Sequence, residues 1–353
     1  RYTLGEGYVG IASVEGELPV EFSLQTGLRS FSRKYDIPYM RHGSENIFHT
    51  VGFISGALNE EQHVGIALGM DNLIYDAEQA DYTLLQLNPY YTLENDNIRL
   101  RVGAHVDWQS ANGSGIKAAP DVKLDYTFAD TYVAYLHATG GTRLNDFRQQ
   151  NEESPYWGVI NQMRTSYTPA DLQVGFKASP LPGLGFHLFG GYRVTKDEIF
   201  HLPGITDTDF PYCYSLLMQE KAKVGYGGIK AAYGYKDIFD FSVGGTYYGW
   251  NVKDEAKVLL YLKPEFVLDA SARAKVYDEF WISAAYRYEG RVKAGELEKA
   301  DAINNLSLSA GYEFFNSLNV FVRFNDLLNQ DYITEAGYPV QGFNAMAGVS
   351  FRF

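Results

Sequence analysis

A single cysteine, Cys213, stands among 353 residues, so no disulfide framework holds this chain together. Long apolar runs are missing as well. A helix that crosses a bilayer needs about 18 nearly uncharged residues in a row, and no stretch of the sequence comes near that. Basic residues are scarce, with 30 Lys and Arg against 43 Asp and Glu and a net charge of -13. Phosphate contact needs a surplus of cations, so nucleic acid is a poor partner. Aromatic residues and glycine, in contrast, are plentiful: 28 Tyr, 22 Phe and 35 Gly. So many rings can bury a core, which excludes disorder.

The C-terminal end shows how those rings are arranged. Phe343, Ala345, Ala347, Val349, Phe351 and Phe353 are apolar at every second position, with Asn344, Met346, Gly348, Ser350 and Arg352 between them. A period of two with one apolar and one mixed face predicts a strand. The same alternation recurs upstream. Leu318, Val320, Val322 and Phe324 alternate with Asn319, Phe321, Arg323 and Asn325. Ile98, Leu100, Val102, Ala104 and Val106 alternate with Arg99, Arg101, His105 and Asp107. Each run is about 9–11 residues or longer, the length of a tilted membrane-spanning strand.

The connections alternate too. Glu94 to Asn97, Ala129-Asp130, Pro180 to Gly183, Tyr235 to Ile238 and Tyr277 to Glu279 have the composition of tight turns. Longer polar connections are expected at Tyr35 to Glu45, Gly140 to Arg164, Glu198 to Met218, Arg291 to Ala302 and Asp331 to Val340. Short turns at one end and long loops at the other describe a transmembrane antiparallel up-and-down β-barrel of the bacterial outer membrane, with periplasmic turns and extracellular loops. Counting back from Phe353 predicts about sixteen strands from Phe22 onward, within a range of about 14–18. Residues 1–18 are assigned to an N-terminal periplasmic segment or an extra strand, and 19–353 to the barrel. A soluble β-sandwich would also alternate. It would need a cover for every apolar face, whereas lipid outside one closed wall satisfies all faces and edges together. Tyr and Trp near strand ends, among them Tyr75, Tyr90, Trp108, Tyr126, Tyr132, Trp157, Tyr233, Tyr235 and Tyr277, suit the two lipid–water boundaries.

Function is then expected in the lumen. The inward positions include Arg99, Arg101, His105, Asp107, Lys177, Arg193, Arg273, Arg287, Glu289, Arg323 and Arg352. Fixed charges in a pore select solutes, while opposite charges on adjacent strands neutralise each other and seal the interior. Bulky inward Phe189, Tyr248, Trp250 and Trp281 point to a constricted lumen. Hydrolytic chemistry has little support: His105 and Asp107 share a face, but no Ser stands in a strained G-x-S-x-G turn. Cys213 has no ligand at zinc spacing. The acids of the long loops, with Asp207-Thr208-Asp209 the best of them, are too few for a hard-cation site. The sequence calls for no catalytic residue, metal or cofactor.

The last residues carry a more specific likeness. Asn325-Asp326-Leu327-Leu328-Asn329-Gln330-Asp331-Tyr332 resembles the N-L-F-N-x-x-Y motif of TonB-dependent outer-membrane receptors. Gly337-Tyr338-Pro339-Val340-Gln341-Gly342 is similar to their GYPxPGR loop, and an aromatic final strand follows. Asn325, Leu327, Asn329, Tyr332, Gly337, Tyr338 and Pro339 carry the resemblance, which covers about a tenth of the chain. It implies the C-terminal barrel of such a receptor, plugless or truncated, because residues 1–18 are too short for the plug domain that fills those barrels. It also implies that the terminal aromatics Phe351 and Phe353 are read by the outer-membrane assembly machinery. The implied partners are the lipid bilayer with its lipopolysaccharide, that machinery, and other outer-membrane subunits. The function expected is a channel or receptor-like transporter for small solutes. The alternative is a non-conducting scaffold subunit of a larger outer-membrane complex.

Overall fold

The computed structural model describes all residues except 1, 15–19, 35–42, 77–78, 112, 114, 160–161, 206–212, 278, 315–316, 336–337 and 353. The first half holds β1 (Tyr2–Ala12), β2 (Val20–Arg33), β3 (Gly43–Ala57), β4 (Gln62–Tyr75), β5 (Tyr82–Glu94), β6 (Ile98–Gln109), β7 (Gly115–Phe128) and β8 (Tyr132–Arg143). A short helix α1 (Phe147–Glu153) and strand β9 (Trp157–Val159) follow. The second half holds β10 (Ser166–Leu181), β11 (Leu184–Ile205), β12 (Cys213–Tyr235), β13 (Phe239–Asn251), a 3-10 turn η1 (Asp254–Leu260), β14 (Pro264–Lys275), β15 (Phe280–Arg291), β16 (Ile303–Phe314) and β17 (Leu318–Asn325). The chain ends with a small hairpin, β18 (Ile333–Glu335) and β19 (Tyr338–Pro339), and with β20 (Asn344–Phe351).

Seventeen strands form one antiparallel meander. β1 to β8 pair in order, β8 pairs with β10, β10 to β17 continue in order, and β17 pairs with β20. The sixteen strands expected from Phe22 onward are β2 to β8, β10 to β17 and β20. β1 and β20 run in the same direction and form the two sheet edges; no described pairing joins them. Ile66, Val174, Leu188, Ile229, Ile282 and Leu308 are exposed on the outer, lipid-facing side of the wall. At the short-turn end, Tyr126, Phe128, Tyr132 and Phe176 stack in sequence with centroids 5.5–6.1 Å apart. This is an aromatic band at the periplasmic boundary. At the β10–β11 turn Gly183 has φ +81°, and a Cβ there would run into the carbonyl of Gly234. Only glycine allows that close approach.

Three expectations need correction. Glu198 to Met218 is mostly not a loop, because β11 and β12 continue as a hairpin well past the rest of the wall. Gly140 to Arg164 is not an irregular loop either, because it folds into α1 and β9. Among the supposed boundary rings, Trp157 is fully buried, Tyr75 packs under α1, and Tyr90 lies on the inner face beneath Arg101. Ring position near a strand end could not separate these from lipid-facing rings, since their burial depends on a segment distant in sequence.

Candidate functional site: the barrel interior and its mouth

The register carries the charged residues to one face of the wall. Arg99 stands opposite Asp125, Arg101 opposite Lys123, His105 opposite Ala119 and Asp107 opposite Lys117. Arg193 stands opposite Asp171, Arg273 opposite Asp240, Arg287 opposite Asp269 and Arg323 opposite Met346. The face is the one on which α1 packs, and is therefore the inner one. Two neutralised groups form on it. Arg101 donates from Nε to Asp121 Oδ2 at 2.6 Å and from Nη2 to Asn88 Oδ1 at 2.7 Å, and lies 3.9 Å over the Tyr90 ring. Arg287 bridges Asp269 at 3.0 Å and Glu289 at 2.7 Å, and Glu289 is also gripped by Arg291.

The other predicted residues stand apart. Arg99 pairs with Glu94 in an exposed contact at 2.8 Å. Arg273 lies 4.8 Å over the Trp281 ring. Asp107 accepts from the Thr142 backbone N–H at 2.7 Å, and the Asn88 amide meets His105 at 3.3 Å. Arg193 Nε is buried with no hydrogen-bond partner among the described residues. Arg352 contributes its backbone N–H to Ser317 at 2.7 Å. Asp121 and Asn88 were missed in the sequence. Their parity with Lys123 and Tyr90 was the available signal, but a lone Asp beside Pro120 carries no mark of a buried partner.

Asp121 is 5% exposed, so removing its cation strands a buried carboxylate. Arg101→Gln is expected to destabilise the barrel by about 3 kcal/mol in urea unfolding. Arg101→Lys loses the forked geometry and should fall between. Equal stability of all three proteins would contradict this assignment.

The mouth is the larger structure that sequence reading missed. The described parts of the segment after β8, residues 144–159 and 162–165, lie across it. Phe147 and Trp157 are fully buried, 5.1 Å apart, in a core with Phe31 of β2, Met163, and Ile199 and Leu217 of the β11–β12 hairpin. Glu45 accepts from the Phe147 N–H at 3.1 Å, Arg33 donates to the Trp157 carbonyl at 2.9 Å, and Arg29 reaches Asp146 at 3.2 Å. Arg148 pairs with Glu6 of β1 at 3.0 Å. β9 adds in parallel to the free edge of β12. Tyr156 stacks on Tyr338 at 5.2 Å. One segment therefore touches β1, β2, β3, β12 and the loop before β20. A second core, of Phe200, Ala222, Leu259, Leu260 and Ala294, fills the space under η1 on the other face of the hairpin.

This mouth contains one constellation that resembles hydrolase chemistry. His201 Nδ1 meets Ser215 Oγ at 2.8 Å, and Nε2 meets Glu153 Oε2 at 3.0 Å. Ser215 is 2% exposed under β9. A nucleophile must reach its substrate, so the trio pins α1 to the hairpin. The His201 side chain holds the Glu153 carboxyl below its ordinary value of 4.5, with Lys263 and Arg143 adding to the effect. Burial pushes the Lys263 ammonium down; it lies over the Phe200 and Trp250 rings. A depressed carboxylate stabilises the docked form above its ordinary pKa, and the contribution disappears as pH falls through the depressed value. Glu153→Gln should therefore reduce hydrogen-exchange protection of α1 at pH 7 and 5, and its difference from the parent should shrink as pH falls below the ordinary carboxyl range. A difference that is the same at every pH down to acid would count against the contact.

The receptor-like motif is a turn. Leu327 donates its N–H to the Leu306 carbonyl at 2.9 Å, and Asn329 Oδ1 accepts from the Phe343 N–H at 2.9 Å. Asn325 bonds Asn344 at 2.9 Å, and Asn305 bonds the buried Tyr332 hydroxyl at 2.9 Å. Pro339 pairs with Ile333. These contacts aim the chain back into β20. Phe351 is exposed on the outer side of that strand. Gly337 and Phe353, like Asp207 and Asp209, lie outside the described residues.

No family model and no curated relative matches the sequence. Solved structures do match the fold. The siderophore receptor PirA from Acinetobacter baumannii superposes with a TM-score of 0.75 at 9% identity, over 100% of this chain and 62% of that one. The FrpB iron transporter from Neisseria meningitidis gives 0.71 at 11% identity, over 99% and 63%. The copper transporter OprC gives 0.63 at 12% identity, over 100% and 72%. The chain thus spans under two thirds of the length of the first two. These neighbours are transporters and receptors rather than enzymes. The chain has the fold of the barrel of TonB-dependent outer-membrane receptors.

Proposed function

We propose that this barrel is the wall of a receptor-like transporter for small solutes, with a gated passage. The observation that carries this reading is the core joining Phe31 of β2 to Ile199 and Leu217 through Phe147 and Trp157. It lays the chain's own segment across the extracellular mouth, as a gate does and a general diffusion pore does not. The inner-face charges, Arg101, Arg193, Arg273, Arg287, Glu289 and Arg323 among them, line the passage. The aromatic β20 with Phe351 is the strand that the assembly machinery reads, and the outer face meets lipid and lipopolysaccharide. The closed mouth also suits the second reading, a non-conducting scaffold subunit. Solute uptake into proteoliposomes separates the two. Uptake above that of protein-free vesicles supports transport. No uptake, together with purification from outer membranes in a fixed ratio with other subunits, would leave the scaffold reading standing alone.

A further inference from the structure

We propose that Lys177, His187 and Lys230 form a seat inside the barrel for an oxyanion, a phosphate or carboxylate group carried by a small solute. The inference rests on the reading of the interior as a solute passage. The three residues stand directly opposite one another on β10, β11 and β12. All three share the inner-face register, and both lysines are exposed there. The two lysines sit two strands apart, about 10 Å. Neither has a carboxylate partner among the described residues, whereas the neighbouring arginines do: Arg101 holds Asp121, and Arg287 holds Asp269 and Glu289. Like charges arrayed across a sheet are unfavourable, so a row with no countercharge of its own is completed by an anion from outside.

The surroundings form a built cavity. The row lines a space of about 720 Å³ together with Thr246, Tyr248, Asp269 and Arg287, the last two paired with each other. The Lys177 ammonium lies 5.4 Å over the Tyr135 ring and that of Lys230 5.6 Å over the Phe189 ring, so each cation is held on a π-face beside the row. The Tyr135 hydroxyl and His187 Nε2 are 2.9 Å apart, which fixes the imidazole plane. Opposite Lys230 stands Gly244, and the next strand brings Asp269. The glycine leaves the position beside Lys230 without a side chain. Two lysines, a histidine and the Thr246 hydroxyl thus line one opening. Charge-assisted bonds from such donors suit a multiply charged oxyanion, and fixed cations on a passage wall select anionic solutes.

The test is isothermal titration of inorganic phosphate and of tripolyphosphate into the purified protein, in a detergent without phosphate. Saturable binding is expected. It should weaken at least tenfold in the Lys177→Gln/Lys230→Gln protein and persist in Lys177→Arg/Lys230→Arg, which keeps the charges. Lys299→Gln, which removes the same charge in a loop, should bind as the parent does. Heat-modifiable gel mobility confirms that each variant is folded. No saturable binding to the parent, or an equal loss in Lys299→Gln, overturns the seat. Uptake measured on the same preparations keeps the two ideas apart: uptake without binding removes the seat alone, and binding without uptake removes the transport reading alone.

Discussion

Trp157→Ala is expected to release the segment 144–165 while leaving the barrel wall folded. Trp157 is fully buried, stacks near Phe147 at 5.1 Å, and lies 4.5 Å beneath the Arg33 guanidinium. Truncating so large a buried ring costs about 3–5 kcal/mol. That cost falls on the docking of one segment. Its anchors on the wall, Glu45, Arg33 and Phe31, sit in the last rungs of the ladder at the extracellular ends of β2 and β3, away from the middle of the wall. Hydrogen exchange should therefore show lost protection across 147–159 and unchanged protection in β4 to β8. Phe147→Ala should do the same. A parallel loss of protection through the wall strands would mean that the segment is an integral part of the barrel core, and the gate reading would fail.

Gly191→Val should destabilise the wall itself. The Tyr226 ring lies flat on Gly191, its direct partner across the β11–β12 ladder. A side chain at 191 would collide with that ring and would come within 2.7 Å of the Leu172 carbonyl. Overpacking of this kind costs about 1–3 kcal/mol. Displacing the ring also breaks the 3.1 Å bond from the Tyr226 hydroxyl to Asp171. Adding Tyr226→Ala to Gly191→Val should recover part of the loss, with a coupling of about 1 kcal/mol in urea unfolding. The same joint recurs round the inner face, where Tyr8 covers Gly27, Tyr90 covers Gly65, Tyr135 covers Gly175, Trp281 covers Gly311 and Phe321 covers Gly348. Each pair is directly opposed in the ladder. If Gly191→Val unfolds at the same urea concentration as the parent, these joints do not hold the wall.

Those pairs show one use of the tyrosine and glycine in which the sequence is rich. In each, a ring on one strand uses the bare backbone of the next. The alternation of single strands was legible because strand periodicity is local: one face meets lipid along the whole wall, so every second residue reports it. The same parity sets the charged residues on the opposite face of each strand. The mouth was not. In β11, Ile199 packs against Trp157 and the neighbouring Phe200 packs against η1. Both faces of that hairpin are covered, so its period-two pattern disappears and the stretch reads as loop. A bulge between Thr195 and Glu198 shifts the register there as well. The contacts of α1 with Glu45 and Glu6 join residues about a hundred or more positions apart, and periodicity carries no information on such pairs.

Single-channel conductance in planar bilayers tests the gate most directly, comparing the intact protein with one in which residues 146–159 are replaced by a short Gly-Ser linker. The account predicts a closed or briefly opening intact barrel and a lasting rise in conductance once the segment is removed. An intact barrel that already conducts as steadily as the shortened one would contradict it.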